Sequence, residues 1–239
     1  MSVQWNRSRR PEGEEQPAMA YRVARRAGSD AAGGDAATLG PSARKHGAAV
    51  RAFFAISLAG ELRENAAALA RDLAARAGGE GVRWTAPDSY HLTLRFLGNV
   101  PSAAIAQLAE RAHEALAPCA PFALTLGAAL AFPSARQPRV IALAAQPAGP
   151  LADLAARLEK AAVEIGLPPE ERAFRAHLTL GRVRARRAPK LDAPAPAGAL
   201  EVREVVLFRS DLAREGAQYL PLATLPLGAS AASFSPGSN

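Results

Sequence analysis

A chain of 239 residues, 49 % of them apolar, has material for one ordinary domain or two small lobes around a real core. Its single cysteine, Cys119, excludes an internal disulfide and a thiolate metal cluster and suits a reducing, cytoplasmic setting, while no run is long and uncharged enough to span a membrane. The net charge of +7 is compatible with polyanionic partners but singles none out, because Lys and Arg are spread along the chain.

Residues 1–47 mix Gly, Ser, Asp, Arg and Glu without apolar periodicity and read as a disordered leader. No continuous apolar core follows its arginines, so it is not a secretory signal, and its acidic residues argue against an organelle transit peptide. The folded domain is expected over 48–228. Val50 to Leu58 reads as a buried strand. Leu62, Ala66, Leu69 and Leu73 then recur at helical spacing until Gly78-Gly79. Val82 to Trp84 is a short extended piece, and Ala86 to Ser89 turns the chain into a strand from Tyr90 to Leu97, closed by Gly98.

Pro101-Ser102 opens a second helix with Ile105, Leu108, Ala112 and Leu116 on one face. Strands follow at Phe122 to Leu126 and Val140 to Leu143, joined through Phe132-Pro133 and a polar turn. A third helix carries Leu151, Leu154, Leu158 and Ile165 and stops at Gly166 before Pro168-Pro169. The chain continues through a strand around His177, a Pro- and Ala-rich loop from Pro189 to Gly198, and strands at Leu200 to Phe208 and Tyr219 to Leu227, with a frayed tail over 229–239. Strands both in succession and separated by helices predict an α+β protein with mostly antiparallel sheets.

One phrase occurs twice, as His91-Leu92-Thr93-Leu94 and His177-Leu178-Thr179-Leu180, and uses two of the chain's four histidines. On a strand, alternation turns each His and its Thr to one side and the leucines to the other. Upstream of each copy lies a similar strand, Arg51-Ala52-Phe53-Phe54-Ala55-Ile56 or Arg139-Val140-Ile141-Ala142-Leu143, then a helix-like stretch. The spacing is 40 residues from Arg51 to His91 and 38 from Arg139 to His177, the pattern of an internal duplication that sets two imidazoles on opposite walls of a cleft.

Two imidazoles astride a substrate suit a reaction that takes one proton and gives another, because histidine titrates near neutrality. Phosphodiester hydrolysis needs both events, and the threonine hydroxyls can donate to the non-bridging oxygens. A dense basic segment, Arg182, Arg184, Arg186, Arg187 and Lys190, follows the second motif and is either a solvated loop or a phosphate-facing surface. His113 reads as a surface residue on the second helix, His46 lies in or beside the leader, and Cys119 has no nucleophilic setting. None of them is spaced for a metal site.

In their settings, Trp84 to Gly98 and Phe174 to Val183, the paired His-x-Thr-x phrases resemble the 2H phosphoesterase superfamily, and more narrowly the RNA 2′,3′-cyclic phosphodiesterases historically called 2′-5′ RNA ligases. Supporting features are the Arg51 strand, Phe132-Pro133, the Arg139 strand, and Ser210-Asp211-Leu212 leading to Gly216 and Tyr219. The resemblance implies a bilobal fold of two pseudo-symmetric lobes flanking a central cleft, with helices outside. It also implies opening of an RNA terminal 2′,3′-cyclic phosphate to a 2′-phosphate without a metal or other cofactor. Carried onto this chain, His91 is the proton donor, His177 the proton acceptor, and Thr93, Thr179 and Arg182 bind phosphate, with Phe54 as a base-stacking surface. The pseudo-symmetry leaves the two histidine roles interchangeable from sequence. Ala142-Leu143 departs from a family pattern that often has an aromatic there. The partner expected is RNA with a cyclic phosphate end, bound by a monomer with no membrane association. A non-catalytic RNA-end-binding module, another cyclic nucleotide substrate, and 2′-5′ ligation or cleavage are the alternatives.

Overall fold

The computed structural model describes residues 48–76, 81–134, 136–184, 190–213 and 216–228. The expected leader with His46, the Gly78-Gly79 stop, Arg186, Arg187 and the frayed tail lie outside these residues. The elements run β1 (Ala49–Ser57), α1 (Gly60–Arg76), β2 (Val82–Trp84), β3 (His91–Pro101), α2 (Ile105–Leu116), β4 (Phe122–Phe132), β5 (Val140–Gln146), α3 (Ala148–Glu164), β6 (His177–Val183), β7 (Leu200–Val202), β8 (Glu204–Ala213) and β9 (Gly216–Pro226).

The strands form two sheets, ordered β3-β1-β8-β9 and β2-β6-β5-β4-β7. Every neighbouring pair is antiparallel. Two strand-helix-strand stretches, β1-α1-β3 with β2 interposed and β5-α3-β6, each end on a motif strand. The helices exchange lobes. α1 leaves the first sheet and lies against β2 and β7 of the second, while α3 leaves the second sheet and lies against β3 and α2.

The sequence periodicity explains the helices. Leu62, Ala66, Leu69 and Leu73 of α1 are buried, as are Leu151, Leu154 and Leu158 of α3. Each buried leucine contributes about 1.5–3 kcal/mol through removal of apolar surface from water. α3 ends as expected: Gly166, at φ +88°, lets its own N–H reach the Val163 carbonyl and that of Leu167 reach the Ala162 carbonyl. The Pro- and Ala-rich loop is held on α1, where Asn65 Nδ2 donates to the Ala197 carbonyl at 3.0 Å and Arg76 Nη1 to that of Asp192 at 2.7 Å.

Four expectations are corrected. The first motif strand does not stop at Gly98 but runs to Pro101, because Gly98 (φ +68°) absorbs a bulge between the Ala52 and Phe53 pairings. The single strand expected from Leu200 to Phe208 is two strands in different sheets: β7 pairs with β4, β8 with β1, and the chain changes lobe at Arg203. His113 is buried rather than on the surface, because α2 inserts between α3 and β9. Finally, the register makes Arg139 equivalent to Ala52, not to Arg51, since Ser57 faces His91 where Ala144 faces His177.

Arg95 fastens α3 and the segment after it to the first sheet. Buried on β3, it forms an ion pair with Glu159 of α3 and donates from Nη1 to the Phe96 carbonyl. Its Nη2 donates to the Pro168 carbonyl at 2.6 Å. The segment it grips leads directly into β6.

Candidate active site

Each histidine opens its strand and is held in the same way. His91 Nδ1 lies 2.8 Å from the Ser89 carbonyl and His177 Nδ1 lies 2.7 Å from the Arg175 carbonyl, in both cases two residues upstream. A carbonyl only accepts, so the proton resides on Nδ1 and Nε2 is left for chemistry in both rings. Each Nε2 is then a base when its ring is neutral and an acid when the ring is charged.

Alternation does the rest. Leu92, Leu94, Leu178 and Leu180 are buried, whereas His91, Thr93, His177 and Thr179 are only partly covered. Both strands carry a bulge at the same place. Ala55 pairs with Thr93 but Phe54 with Arg95, skipping Leu94; Ala142 pairs with Thr179 but Ile141 with Gly181, skipping Leu180. Each bulge turns two successive residues inward and returns the next, Phe96 or Arg182, to the side of the His and Thr. β3 and β6 approach within 8 Å between Cα atoms across the two sheets. Their histidines are close enough for His177 to disfavour the charged form of His91.

The surroundings of the two rings differ. His91 packs against Phe53 at 5.1 Å between ring centroids and edge-on against Tyr219 at 4.9 Å, while His177 has Phe132 at 5.4 Å. Burial is the main cause that lowers the His91 pKa below its ordinary value; the Ser89 carbonyl opposes this and His177 adds to it.

The structure thus brings His91, Thr93, His177, Thr179 and Arg182 to one side of the two motif strands. Arg182 is exposed and stands directly opposite Val140 on β5 and Arg83 on β2. Phe54 is the exception and is corrected here: it is 0 % exposed and belongs to the core, so no base can stack on it. Period-two alternation turns its neighbour Phe53 toward His91 instead. Phe53, Tyr219 and Phe132 were not anticipated as neighbours of the imidazoles. The Phe53-Phe54 doublet carried the signal but not its direction.

Gly181 was also missed. A Cβ on it would stand 2.9 Å from Val82 Cγ1 and 3.1 Å from the Arg83 carbonyl, so the residue lets β2 close on the motif strand. Arg184 and Lys190 are exposed, and Cys119 lies beside Asp153 of α3, its thiol pKa raised chiefly by burial. Among the described residues, no three of His, Cys, Asp and Glu gather into a metal-binding group.

Comparison with known proteins agrees with this geometry. The LigT like Phosphoesterase family model matches residues 56–142 and 141–219. The RNA 2′,3′-cyclic phosphodiesterase of Archaeoglobus fulgidus is 30 % identical over 72 % of this chain and 98 % of its own length. That of Methanothermobacter thermautotrophicus is 30 % identical over 71 % and 95 %. Among solved structures, a protein of Thermus thermophilus matches with a TM-score of 0.64 and 30 % identity over 74 % of this chain and 98 % of its own. E. coli LigT complexed with 3′-AMP matches with a TM-score of 0.62 and 32 % identity over 75 % and 98 %. Two histidines presented alike by a duplicated strand-helix-strand unit, in a chain matched through both copies, make this protein a member of the LigT-like phosphoesterase family, with the bilobal 2H fold.

Proposed function

We propose that the chain hydrolyses RNA 2′,3′-cyclic phosphate ends to 2′-phosphates, with the phosphate held between the two motif strands. The observation that carries this reading is the matched pair of Nδ1 bonds to Ser89 and Arg175, which leaves one Nε2 per lobe for proton transfer. The names of the relatives supply the substrate class.

In the forward reaction His177 Nε2 takes a proton from water as the oxygen attacks phosphorus. His91 Nε2–H gives its proton to the departing 3′ oxygen, and the 2′ oxygen keeps the phosphate. Thr93 and Thr179 donate to the non-bridging oxygens, and Arg182 offsets their charge. His91 is disposed to be neutral in the free protein, and a bound phosphodiester supplies the negative charge that restores its proton. Since both motifs lie on one chain, a monomer holds the whole site. No helix among the described residues is long and apolar enough to cross a membrane. A 5′ hydroxyl in place of water would meet the same two groups and give a 2′-5′ linkage.

The test is incubation with a short RNA ending in a 2′,3′-cyclic phosphate, in water enriched in heavy oxygen. A 2′-phosphate product carrying one labelled oxygen supports the reading; a 3′-phosphate product, or an untouched end, refutes it.

A further inference from the structure

The two histidines are held by like bonds but on unlike supports. The Ser89 carbonyl that holds His91 belongs to a 3-10 turn, Pro87–Ser89, closed by its own backbone: Ser89 N–H donates to the Ala86 carbonyl at 2.9 Å and Tyr90 N–H to that of Pro87 at 3.1 Å. The Arg175 carbonyl that holds His177 stands in residues 167–176, which join α3 to β6 without a helix or strand. A segment of that kind keeps its shape through its bonds to neighbouring elements.

Those bonds converge on Arg95, on the first motif strand beyond Thr93. Its Nη2 donates to the Pro168 carbonyl at 2.6 Å, and its Nη1 lies 3.9 Å from the Glu170 carboxylate. The same guanidinium pairs with Glu159 of α3, whose other carboxylate oxygen accepts from the Glu170 N–H at 2.9 Å. Glu170 in turn accepts from the Arg172 N–H at 3.3 Å. Arg95 is 7 % exposed, and a charged donor shielded from water makes a strong hydrogen bond. Its planar fork serves the carboxylate and the carbonyl at once, which the compact ammonium of a lysine does not. The bulge in β3 turns Arg95 inward, away from the side of His91 and Thr93, so it acts on the site only through the segment it holds.

We propose that Arg95 is a positioning residue for His177. From the strand that carries His91 it sets the path of the segment that carries Arg175, and so places the second imidazole, with its proton on Nδ1, relative to the first. The kinetic consequence rests on the cyclic phosphodiesterase reading; the tautomer of His177 does not.

The experiment compares the full chain with Arg95→Lys, with Arg95→Met/Glu159→Met and, as a control, with Arg157→Met, which breaks an exposed ion pair to Asp153 elsewhere on α3. Two readouts are taken: the ring tautomer of His177 by nitrogen NMR at alkaline pH, its signal identified by loss in His177→Ala, and kcat and KM on a short RNA ending in a 2′,3′-cyclic phosphate. The double variant refills the space between β3 and α3 with apolar side chains but leaves the segment without both bonds. It should be folded, yet His177 should lose its Nδ1–H form while His91 keeps its own. Its kcat should fall about 10- to 100-fold with KM changed less than about twofold, because a small displacement of a reacting group costs up to about 100-fold. Arg95→Lys should show the same pattern in weaker form, and Arg157→Met neither change. The proposal is overturned by a parental tautomer and kcat in the double variant, by a loss carried by KM alone, or by an equal loss in Arg157→Met. Unfolding of every Arg95 variant, lysine included, assigns the residue to stability alone and overturns it too, as does a parent chain in which His177 lacks the Nδ1–H form. A parent chain that shows this form but does not turn over the RNA removes the hydrolase reading, while the tautomers of the variants still decide the role of Arg95.

Discussion

Gly181→Ala provides a test in which the sign of the effect is decided by the structure. In an ordinary strand interior the change would stabilise by about 0.5–1 kcal/mol, because alanine loses less conformational entropy on folding. Here the new methyl would meet Val82 Cγ1 at 2.9 Å, the Arg83 carbonyl at 3.1 Å and the Trp84 ring at 3.3 Å. A β-branched side chain and a backbone oxygen yield little, so β2 must move away from β6, at a cost of about 1–3 kcal/mol. Gly181 adjoins Arg182 and lies two residues from Thr179 on β6, so the same shift should lower turnover of a cyclic phosphate substrate. Urea unfolding gives the stability change as a lowered midpoint at constant slope. Val82→Ala in the Gly181→Ala background relieves one clash but leaves the carbonyl contact, so part of the loss should return as a coupling between the two sites. A Gly181→Ala protein as stable as the parent, or more so, would refute the close approach of β2.

Other expected outcomes follow from the ion pair, the histidine environments and the ligand set. Arg95→Met leaves Glu159 facing a buried position without its cation and should cost about 3–5 kcal/mol in urea unfolding; adding Glu159→Met should recover most of it, and a single variant of parental stability would show that the pair does not clamp β3 to α3. Turnover should be bell-shaped in pH, with limbs belonging to the coupled histidine pair. The alkaline limb reports loss of the proton from the donor, so the lowered pKa of His91 moves it to lower pH in kcat/KM, while the bound phosphate moves it back up in kcat. An alkaline limb at the same pH in both profiles, or a rate that climbs steadily into alkali, contradicts the assignment. Activity should survive exhaustive chelation, because two histidines and two threonines are a poor metal shell; loss on chelation with rescue by a divalent ion would sink the mechanism.

Much of the site was legible because it depends on local rules. His91 and Thr93, or His177 and Thr179, share a side through alternation alone, and the repeated phrase was enough to pair them. Helix faces and the Gly166 stop were likewise local. What failed to be legible depends on partners distant in sequence. Phe54 was favoured over Phe53 because two adjacent aromatics have opposite directions, and only the pairing with β3 and β8 decides which meets His91. Gly98 looks like a strand end, yet opposite Ala52 it is a bulge that the strand passes through. Arg203 carries no turn signal, although the chain changes sheets there. His113 lies in a helix whose polar neighbours suggest solvent, and its burial comes from α3 and β9 packing on either side.

The central claim is that two imidazoles, one from each repeat, share the work of a single phosphoryl transfer. Its most direct test is turnover of a cyclic-phosphate RNA by His91→Ala, His177→Ala and the double variant, each checked for unchanged folding. Each single variant is expected to lose ~10²–10⁴-fold in kcat, the usual worth of one positioned acid or base. The double variant should lose far less than the product of the two, since groups that act as a unit are not additive. Near-normal turnover in either single variant, or losses that simply multiply, would contradict a shared two-histidine mechanism.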